Sequence, residues 1–321
     1  MSNTFAQHFG FDAEFDQSAF VDTFGRDSLD TVVEFYQGVV DRRSTGWIPL
    51  PDMFFTIGAC EMLGVDHSPL SDRVPSYLSE LQVGGGYCPV PEEKMEGWRA
   101  DREPDIYSTY YAVKTLGLLG RSSGVDVDTF VASQQDDGYI YNEEWSNTIP
   151  EYRFDSELRQ QVLLGLLLTD NVDTDPIVAE LDENEFLTPI YYSWRIRKHL
   201  DIDPALTDEE AERLGDLQKD GGFREYRLSD KTDEHAGSDH RTWRDQNPPH
   251  LFSSFYAYHI ASETDSRFSY DTGEFIDFIA GTEDEEGFGV DVNAREFEAP
   301  FGRTYTPLEH MMVLLTPSLV Q

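Results

Sequence analysis

The stretch that decides the fold reads Asp105-Ile-Tyr-Ser-Thr-Tyr-Tyr-Ala-Val-Lys-Thr-Leu-Gly-Leu-Leu-Gly120, and the turn Gln82-Val-Gly-Gly-Gly-Tyr87 precedes it. Apolar side chains in residues 105–119 fall on every side of a helical wheel, which predicts a helix that is buried all round. In residues 73–82 the apolar side chains follow the i, i+3, i+4, i+7 spacing of a helix with one face in solvent. We therefore expect an outer, striped helix paired with an inner, buried one.

Weaker copies of this pair recur along the chain, and the turn returns as Gln134-Gln-Asp-Asp-Gly-Tyr139 and Gln218-Lys-Asp-Gly-Gly-Phe223. A period of roughly 40 to 55 residues is typical of stacked units that share one core. Six such pairs predict an all-α fold of twelve helices. Inner helices that are apolar on all faces favour two concentric layers over an open solenoid, so we predict an α6/α6 toroid over residues 27–321, preceded by an N-terminal arm at 1–26.

The charge of the chain is strongly acidic: 62 acidic residues stand against 24 basic ones in a chain of 321, for a net charge of −38. This charge opposes binding to nucleic acids and to anionic membranes. It is typical of proteins from salt-loving organisms, whose surface charges are screened by salt. The two cysteines form no disulfide framework, and neither a leader nor a membrane-spanning run is visible, so we expect a cytoplasmic protein.

The repeated turns, together with the start of the inner helix at Asp105, resemble the repeats of the terpenoid cyclase and protein prenyltransferase β-subunit superfamily, also known as the prenyltransferase and squalene oxidase repeat. The resemblance covers the chain from about residue 28 to the end, and the acidic composition makes it similar to a halophilic, archaeal-type member. It implies the α6/α6 toroid, with an isoprenoid ligand such as a prenyl diphosphate in the axial cavity.

Two catalytic motifs of that superfamily are not matched. Tyr107 stands where the zinc prenyltransferases have a cysteine ligand, and His250 aligns with Asp105 rather than with the family's histidine. The acidic motif of the class II cyclases is also missing, because Asp126-Val-Asp128 and Asp173-Thr-Asp175 sit where outer helices begin and are interpreted as caps. We therefore predict no cofactor and no bound metal, since no motif supports zinc or magnesium.

Candidate site residues follow from aligning the inner helices. One mouth of the ring is expected to carry three candidate catalytic side chains, Asp105, Asp52 and His250. An anionic head group is expected to bind the arginines Arg153, Arg303, Arg241 and Arg244. Arg153 and Arg303 have a second interpretation, an ion-pair collar in which Arg303 pairs with Asp52 and Arg153 with Asp105. Aromatic side chains on the inner helices either bind the ligand or simply fill the core, and the candidates are Tyr107, Tyr111, Tyr191, Trp194, Phe252 and Tyr256.

Three functions remain open at this point. The first is an enzyme of prenyl or terpenoid chemistry, a transferase or a cyclase. The second is a non-catalytic toroid that binds a lipid or a protein partner. The third is a carbohydrate-active α/α toroid in which Asp52 and Asp105 act as acid and base.

The charge yields the first testable prediction. Because like charges repel within one folded body, we expect the melting temperature to fall as salt is lowered from molar to millimolar concentration. Thermal unfolding followed by circular dichroism at several salt concentrations measures this. A melting temperature that does not depend on salt would contradict the halophilic interpretation.

Overall fold

The computed structural model describes residues 2–11, 15–43, 49–89, 103–136, 139–140, 151–178, 181, 187–224, 249–264, 270–285, 287–289 and 306–320. Within these ranges the regular secondary structure consists of α-helices and of four two-stranded hairpins, each with only two residues per strand. The predicted all-α class is therefore confirmed. The hairpins lie at the turns that the sequence repeats.

A helix is present at each of the six positions predicted for inner helices, and we keep the names inner and outer for the two predicted sets. The inner helices are α4 (Leu50–Leu63), α7 (Ile106–Leu118), α9 (Glu151–Leu166), α11 (Leu187–His199), α13 (Leu251–Glu263) and α15 (Pro307–Leu319). Their described side chains are buried on most sides of each helix, as the wheel predicts. In α15, for example, every residue from 311 to 317 is buried.

The outer helices are shorter or striped. They are α3 (Arg26–Arg43), α6 (Val74–Leu81), α8 (Val127–Ser133), α10 (Asp175–Val178), α12 (Asp208–Leu217) and α14 (Thr272–Ala280). The predicted cap at Asp126 is confirmed, because its carboxylate accepts the Thr129 N–H at 3.1 Å. Ser28, a residue type that often caps helices, lies inside α3 rather than before it, and its hydroxyl donates to Glu283 Oε2 at 2.7 Å.

The N-terminal arm contains two helices that the sequence did not predict, α1 (Ser2–Phe9) and α2 (Gln17–Phe24). Each spans only about two turns, which is too short for a sustained hydrophobic period. Phe5, Phe9 and Phe20 are nevertheless at most 2% exposed, so these helices contribute to the core. A further short helix, α5 (Ser68–Ser71), precedes α6.

The four hairpins connect outer helices to inner ones. They pair β1 (Gln82–Val83) with β2 (Gly86–Tyr87), β3 (Gln135–Asp136) with β4 (Tyr139–Ile140), β5 (Gln218–Lys219) with β6 (Gly222–Phe223), and β7 (Glu283–Asp284) with β8 (Gly287–Phe288). In the β3–β4 hairpin Gln135 pairs with Ile140, so the turn lies one residue later than the sequence alignment predicts.

Three hairpins are held to the first turn of the following inner helix by the same hydrogen bond. The Tyr87 N–H donates to Thr109 Oγ1 at 2.9 Å, and the Phe223 N–H donates to Ser254 Oγ at 2.8 Å. In the last hairpin the Phe288 N–H donates to His310 Nε2 at 3.1 Å. Each acceptor lies four residues after the N-cap of its inner helix, so the hairpin backbone and the helix are locked in one register.

A glycine before the aromatic residue makes this close approach possible. A Cβ atom on Gly86 would lie 2.8 Å from Thr109 Oγ1, and one on Gly287 would lie 2.3 Å from His310 Nε2. These distances are well inside van der Waals contact, so a larger residue would push the hairpin off the helix. The recurrent glycine in the turn motif is therefore explained by packing.

The chain divides into two compact units. The first comprises Met1–Glu14, Val33–Ile149 and Glu157–Val178, and α4 packs on α7 within it. The second comprises Phe15–Val32, Pro150–Ser156 and Ala179–Gln321, and there α13 packs on both α11 and α15. The single domain over residues 27–321 stays a prediction.

We call the hydrogen bond from the hairpin backbone to the first turn of the inner helix the hairpin lock, and it yields the second prediction. Replacing Ser254 with Ala leaves the buried Phe223 N–H without its acceptor, and an unsatisfied buried donor costs about 1–3 kcal/mol. We expect the free energy of unfolding in urea to fall by that amount. Ser262→Ala, an exposed serine on the same helix, is the matched control, and equal effects of the two substitutions would contradict the role of the lock.

Candidate functional site

The first unit contains an aromatic cluster on two adjacent inner helices. We call Phe54, Phe55, Tyr107, Tyr110 and Tyr111 the first aromatic cluster. The Tyr111 ring lies 5.7 Å from Phe54, 5.8 Å from Phe55 and 4.8 Å from Tyr107, measured between centroids. Tyr111 is buried, whereas Tyr107 at the start of α7 is half-buried. The two tyrosines predicted to bind a ligand therefore lie together in one cluster.

Helix α1 inserts side chains into the first aromatic cluster. The Phe5 ring stacks on Phe54 with centroids 4.8 Å apart. The His8 ring lies within 5.9 Å of the rings of Phe54, Phe55, Tyr110 and Tyr111, and its Nδ1 is 3.0 Å from the Tyr110 hydroxyl. The N-terminal arm thus contributes side chains to a predicted binding region.

The second unit contains a corresponding group on α11 and α13. We call Tyr191, Tyr192, Trp194 and Tyr256 the second aromatic cluster. Tyr191 and Tyr256 stack almost in parallel, with centroids 3.9 Å apart and planes inclined by 9°. Tyr191 and Trp194 are buried, whereas Tyr256 is half-buried. Phe252, one turn before Tyr256 on the same helix, is also half-buried.

A buried polar network lies against the second aromatic cluster. Arg195 Nη1 donates to the Tyr191 hydroxyl oxygen at 3.0 Å, and that hydroxyl lies 3.3 Å from His259 Nδ1. His259 Nε2 is 3.3 Å from Glu263 Oε1, and Lys198 also bonds to the Glu263 carboxylate. An ionised carboxylate only accepts, so His259 carries its proton on Nε2, and its Nδ1 accepts a hydrogen bond from the Tyr191 hydroxyl.

Burial sets the protonation states in this network. Burial lowers the pKa of His259 to about 4, although the hydrogen bond to Glu263 acts in the opposite direction. Burial alone would raise the pKa of Glu263, but the hydrogen bonds from His259 and Lys198 outweigh it and hold this pKa at about 2. Burial also raises the pKa of the Tyr191 phenol. At neutral pH the network therefore contains a neutral imidazole between a neutral phenol and a carboxylate.

Asp105, the first candidate catalytic residue, is the N-cap of α7. Its carboxylate accepts the Ser108 N–H at 2.6 Å and the Ser108 hydroxyl at 2.8 Å. Burial raises its pKa to about 6, and the hydrogen bonds from Ser108 and the Tyr107 backbone oppose that shift. This carboxyl therefore takes up a proton close to neutral pH while it stabilises the helix N-terminus.

Asp52, the second candidate, lies inside α4 rather than at its N-cap, which is Pro49. Its Oδ2 pairs with Arg43 Nη2 at 3.2 Å. Burial raises the pKa of Asp52, and the Arg43 charge partly offsets this shift. The inferred alignment of Asp52 with Asp105 is therefore wrong by three positions.

His250, the third candidate, does occupy the position of Asp105, because it is the N-cap of α13. Its backbone N–H donates to the Phe223 oxygen at 3.0 Å, and its side chain makes no cap hydrogen bond. Burial lowers the pKa of His250. In the last repeat this position is held by Thr306, with a capping box to Glu309, and not by Arg303.

The predicted head-group arginines cannot be placed in the site. Arg241, Arg244 and Arg303 lie outside the described residues, and of Arg153 only the backbone, within α9, is described. Their proposed contact with an anion stays a prediction, as does the ion-pair collar.

Sequence reasoning missed His8, Arg195 and His259. A signal was present for the last two, because a charged or titratable residue in the middle of an otherwise apolar helix is expected to have a buried partner. Tyr191 and Arg195 are spaced i, i+4, as are His259 and Glu263, so each pair shares one helix face. His8 gave no comparable signal.

The chain matches no protein-family model, and no curated protein matches it significantly. Among the described residues no three His, Cys, Asp or Glu side chains come together as metal ligands. No helix in the described ranges has the length and apolar character needed to cross a bilayer.

The network yields the third prediction. The unfolded chain protonates His259 near pH 6.5 and the folded chain only near 4, so stability falls as pH drops through this window. The loss attributable to His259 reaches on the order of 3 kcal/mol at pH 4. We expect His259→Gln to flatten the decline between pH 7 and 4, measured by urea unfolding in high salt.

Ser262→Ala, at an exposed residue of the same helix that carries no titrating group, is the control, and its pH profile should keep the slope of the unmodified protein. If the His259→Gln profile also runs parallel to that of the unmodified protein, His259 does not titrate as described.

Proposed function

We propose that this chain binds an isoprenoid ligand, and that its six helix pairs close into an α6/α6 toroid of the terpenoid cyclase and prenyltransferase type. The order of the helices supports the toroid, since longer, largely buried helices alternate along the chain with shorter or striped ones, as concentric layers need. The glycine-hairpin lock supports it further, because it repeats in the same register in three pairs.

The observation that carries the ligand proposal is a pair of half-buried aromatic rings on α13. Phe252 and Tyr256 lie one turn apart on an inner helix whose other residues, from Leu251 to Ala261, are buried. Tyr256 is backed by the stacked ring of Tyr191. The faces of such aromatic rings pack against an apolar hydrocarbon chain, and they stabilise a positive charge that forms on that chain.

Binding is better supported than any particular reaction. Asp105 is engaged as a helix cap, and Asp52 is paired with Arg43. A carbohydrate-active site would require these two carboxyls as an acid and a base facing one substrate. In the proposed complex the aromatic rings therefore contact the hydrocarbon chain, and no catalytic step is assigned to Asp105, Asp52 or His250.

The fourth prediction tests this binding. Truncating one aromatic side chain that packs on a ligand costs about 1.5–3 kcal/mol, which is roughly ten- to hundredfold in affinity. We expect Phe252→Ala to weaken the binding of farnesol and of farnesyl diphosphate by that factor, measured by calorimetry in high salt. Phe278→Ala, a half-buried phenylalanine on the outer helix α14, is the matched control and should leave the affinity unchanged.

The same two ligands distinguish the binding of the diphosphate head group from the binding of the hydrocarbon chain. Arg303→Met should weaken only farnesyl diphosphate, by about 1.5–3 kcal/mol, if Arg303 makes a charge-assisted hydrogen bond to the diphosphate. If the unmodified protein binds neither ligand, the isoprenoid proposal is wrong.

A further inference from the structure

The last hairpin lock differs chemically from the other two. In the first two the acceptor is a hydroxyl, that of Thr109 or Ser254, and a hydroxyl accepts a hydrogen bond at any pH between 4 and 8. In the last lock the acceptor is His310 Nε2, a ring nitrogen that accepts only while it carries no proton. Acid can therefore break this lock by protonating its acceptor, and it cannot break the other two in that way.

The other nitrogen of His310 fixes how the ring is protonated. Nδ1 lies 3.0 Å from the Thr306 backbone oxygen, which can only accept, so Nδ1 carries the proton of the neutral ring. The ring is fully buried, and a Cβ atom on Gly287 would lie 2.3 Å from Nε2, so the hairpin backbone is in close contact with that nitrogen. A second proton on Nε2 places a donor opposite the Phe288 N–H, where the lock needs an acceptor.

Burial keeps His310 neutral in the folded chain. It lowers the pKa of this histidine to about 4, whereas the hydrogen bond to the Thr306 oxygen and the charge of Asp284 act in the opposite direction. Since this value lies below the usual 6.5, the stability that His310 contributes is present above pH 6.5 and is lost as the pH falls towards 4.

Other titratable groups lie on the elements around His310. Helix α15 packs on α2, α13 and β8. The titratable groups on these elements, on the rest of the last hairpin and on α15 itself are Asp22, Tyr256, Tyr258, His259, Glu263, Glu283, Asp284, Glu285 and Glu309. His259 also has a pKa of about 4, so its protonation must be distinguished from that of His310 in any experiment.

The last hairpin also contacts the beginning of the chain. We call residues 16–28, which comprise α2 and the start of α3, the N-terminal strap. The Phe24 ring lies edge-on to the Phe288 ring of β8, with centroids 6.1 Å apart, and the Ser28 hydroxyl donates to Glu283 Oε2 of β7 at 2.7 Å. Both strands of the hairpin therefore hold the N-terminal strap, and α2 packs on α15 beside them.

The N-terminal strap depends on these contacts for its order. Helix α2 has eight residues, fewer than an isolated helix needs to be stable in water. Asp16 caps it by accepting the Ser18 N–H at 2.8 Å, and Phe20 is fully buried against the rest of the fold. When the hairpin no longer holds the strap, the backbone amides of α2 are expected to exchange more readily with water.

We propose that the last hairpin lock is an acid-sensitive latch: a proton on His310 Nε2 breaks the bond from the Phe288 N–H, and the hairpin releases the N-terminal strap. The change takes up one proton and reverses when the pH rises. It connects the start of the first helix pair to the last pair at neutral pH and disconnects them in acid. The latch requires no ligand, and it is independent of the proposed isoprenoid function.

Hydrogen exchange of single backbone amides in the full-length chain tests the latch. Protection is measured in high salt at pH 7 and pH 5, relative to the rate of an unstructured peptide at each pH. A histidine that protonates near 6.5 when exposed and near 4 when locked should lower the protection of the Phe288 amide about twentyfold. The amides of residues 20–24 should lose protection with it. Unchanged protection at Phe288 refutes the latch, and a response at Phe288 without one at residues 20–24 refutes the release of the strap.

Two matched glutamine variants distinguish the latch from acid destabilisation of the whole fold. His310→Gln offers an amide oxygen to the Phe288 N–H but takes up no proton at pH 5, so the protection of Phe288 should stay constant between pH 7 and 5. His259→Gln, at another buried histidine of the second unit, is the control and should keep the twentyfold fall. If the fall persists in His310→Gln, or disappears in His259→Gln, exchange does not follow the protonation of His310 and the latch is refuted. Should His310→Gln fail to fold, the unmodified protein and His259→Gln still decide.

Discussion

One hydrogen bond organises the fold more than any other: the bond from the N–H of the hairpin aromatic to a side chain in the first turn of the next inner helix. It occurs at Tyr87, Phe223 and Phe288, with three different acceptors, Thr109, Ser254 and His310. Because the donor is a backbone group, the bond fixes where the hairpin sits whichever aromatic residue it carries. The glycine before the aromatic follows from this bond, since only a residue without Cβ allows the approach.

Much of this architecture could be predicted from the sequence, because it depends on local patterns. Apolar residues all round a helix, stripes on its partner and a recurring glycine turn are each visible within about 20 residues. Helix starts were less predictable. The alignment of the inner helices puts Asp52 and Arg303 at the position of Asp105, which is an N-cap. That position is held by Pro49 in α4 and by Thr306 in α15, so both assignments are wrong by three residues.

The polar network could not be predicted, because it depends on packing between helices that are far apart in sequence. Tyr191 and His259 are separated by 68 positions, and nothing in either segment indicates the other. Once α11 and α13 pack together, burial makes the imidazole neutral and the Glu263 carboxylate remains charged beside Lys198. The same limit applies to His8, whose contacts with Phe54 and Tyr110 arise only when α1 docks.

A second backbone hydrogen bond accompanies the hairpin lock in two repeats, and it determines where the sequence can accept insertions. The Asp105 N–H donates to the Tyr87 oxygen and the His250 N–H to the Phe223 oxygen, so the residues that leave each hairpin and enter each inner helix are joined by backbone atoms. Each of these two bonds therefore holds together the ends of the segment that lies between its partners in the sequence. The entropy of closing a loop rises only with the logarithm of its length. Insertions between Tyr87 and Asp105, or between Phe223 and His250, should therefore cost the core little, and new binding surfaces can be added there without redesigning the helices.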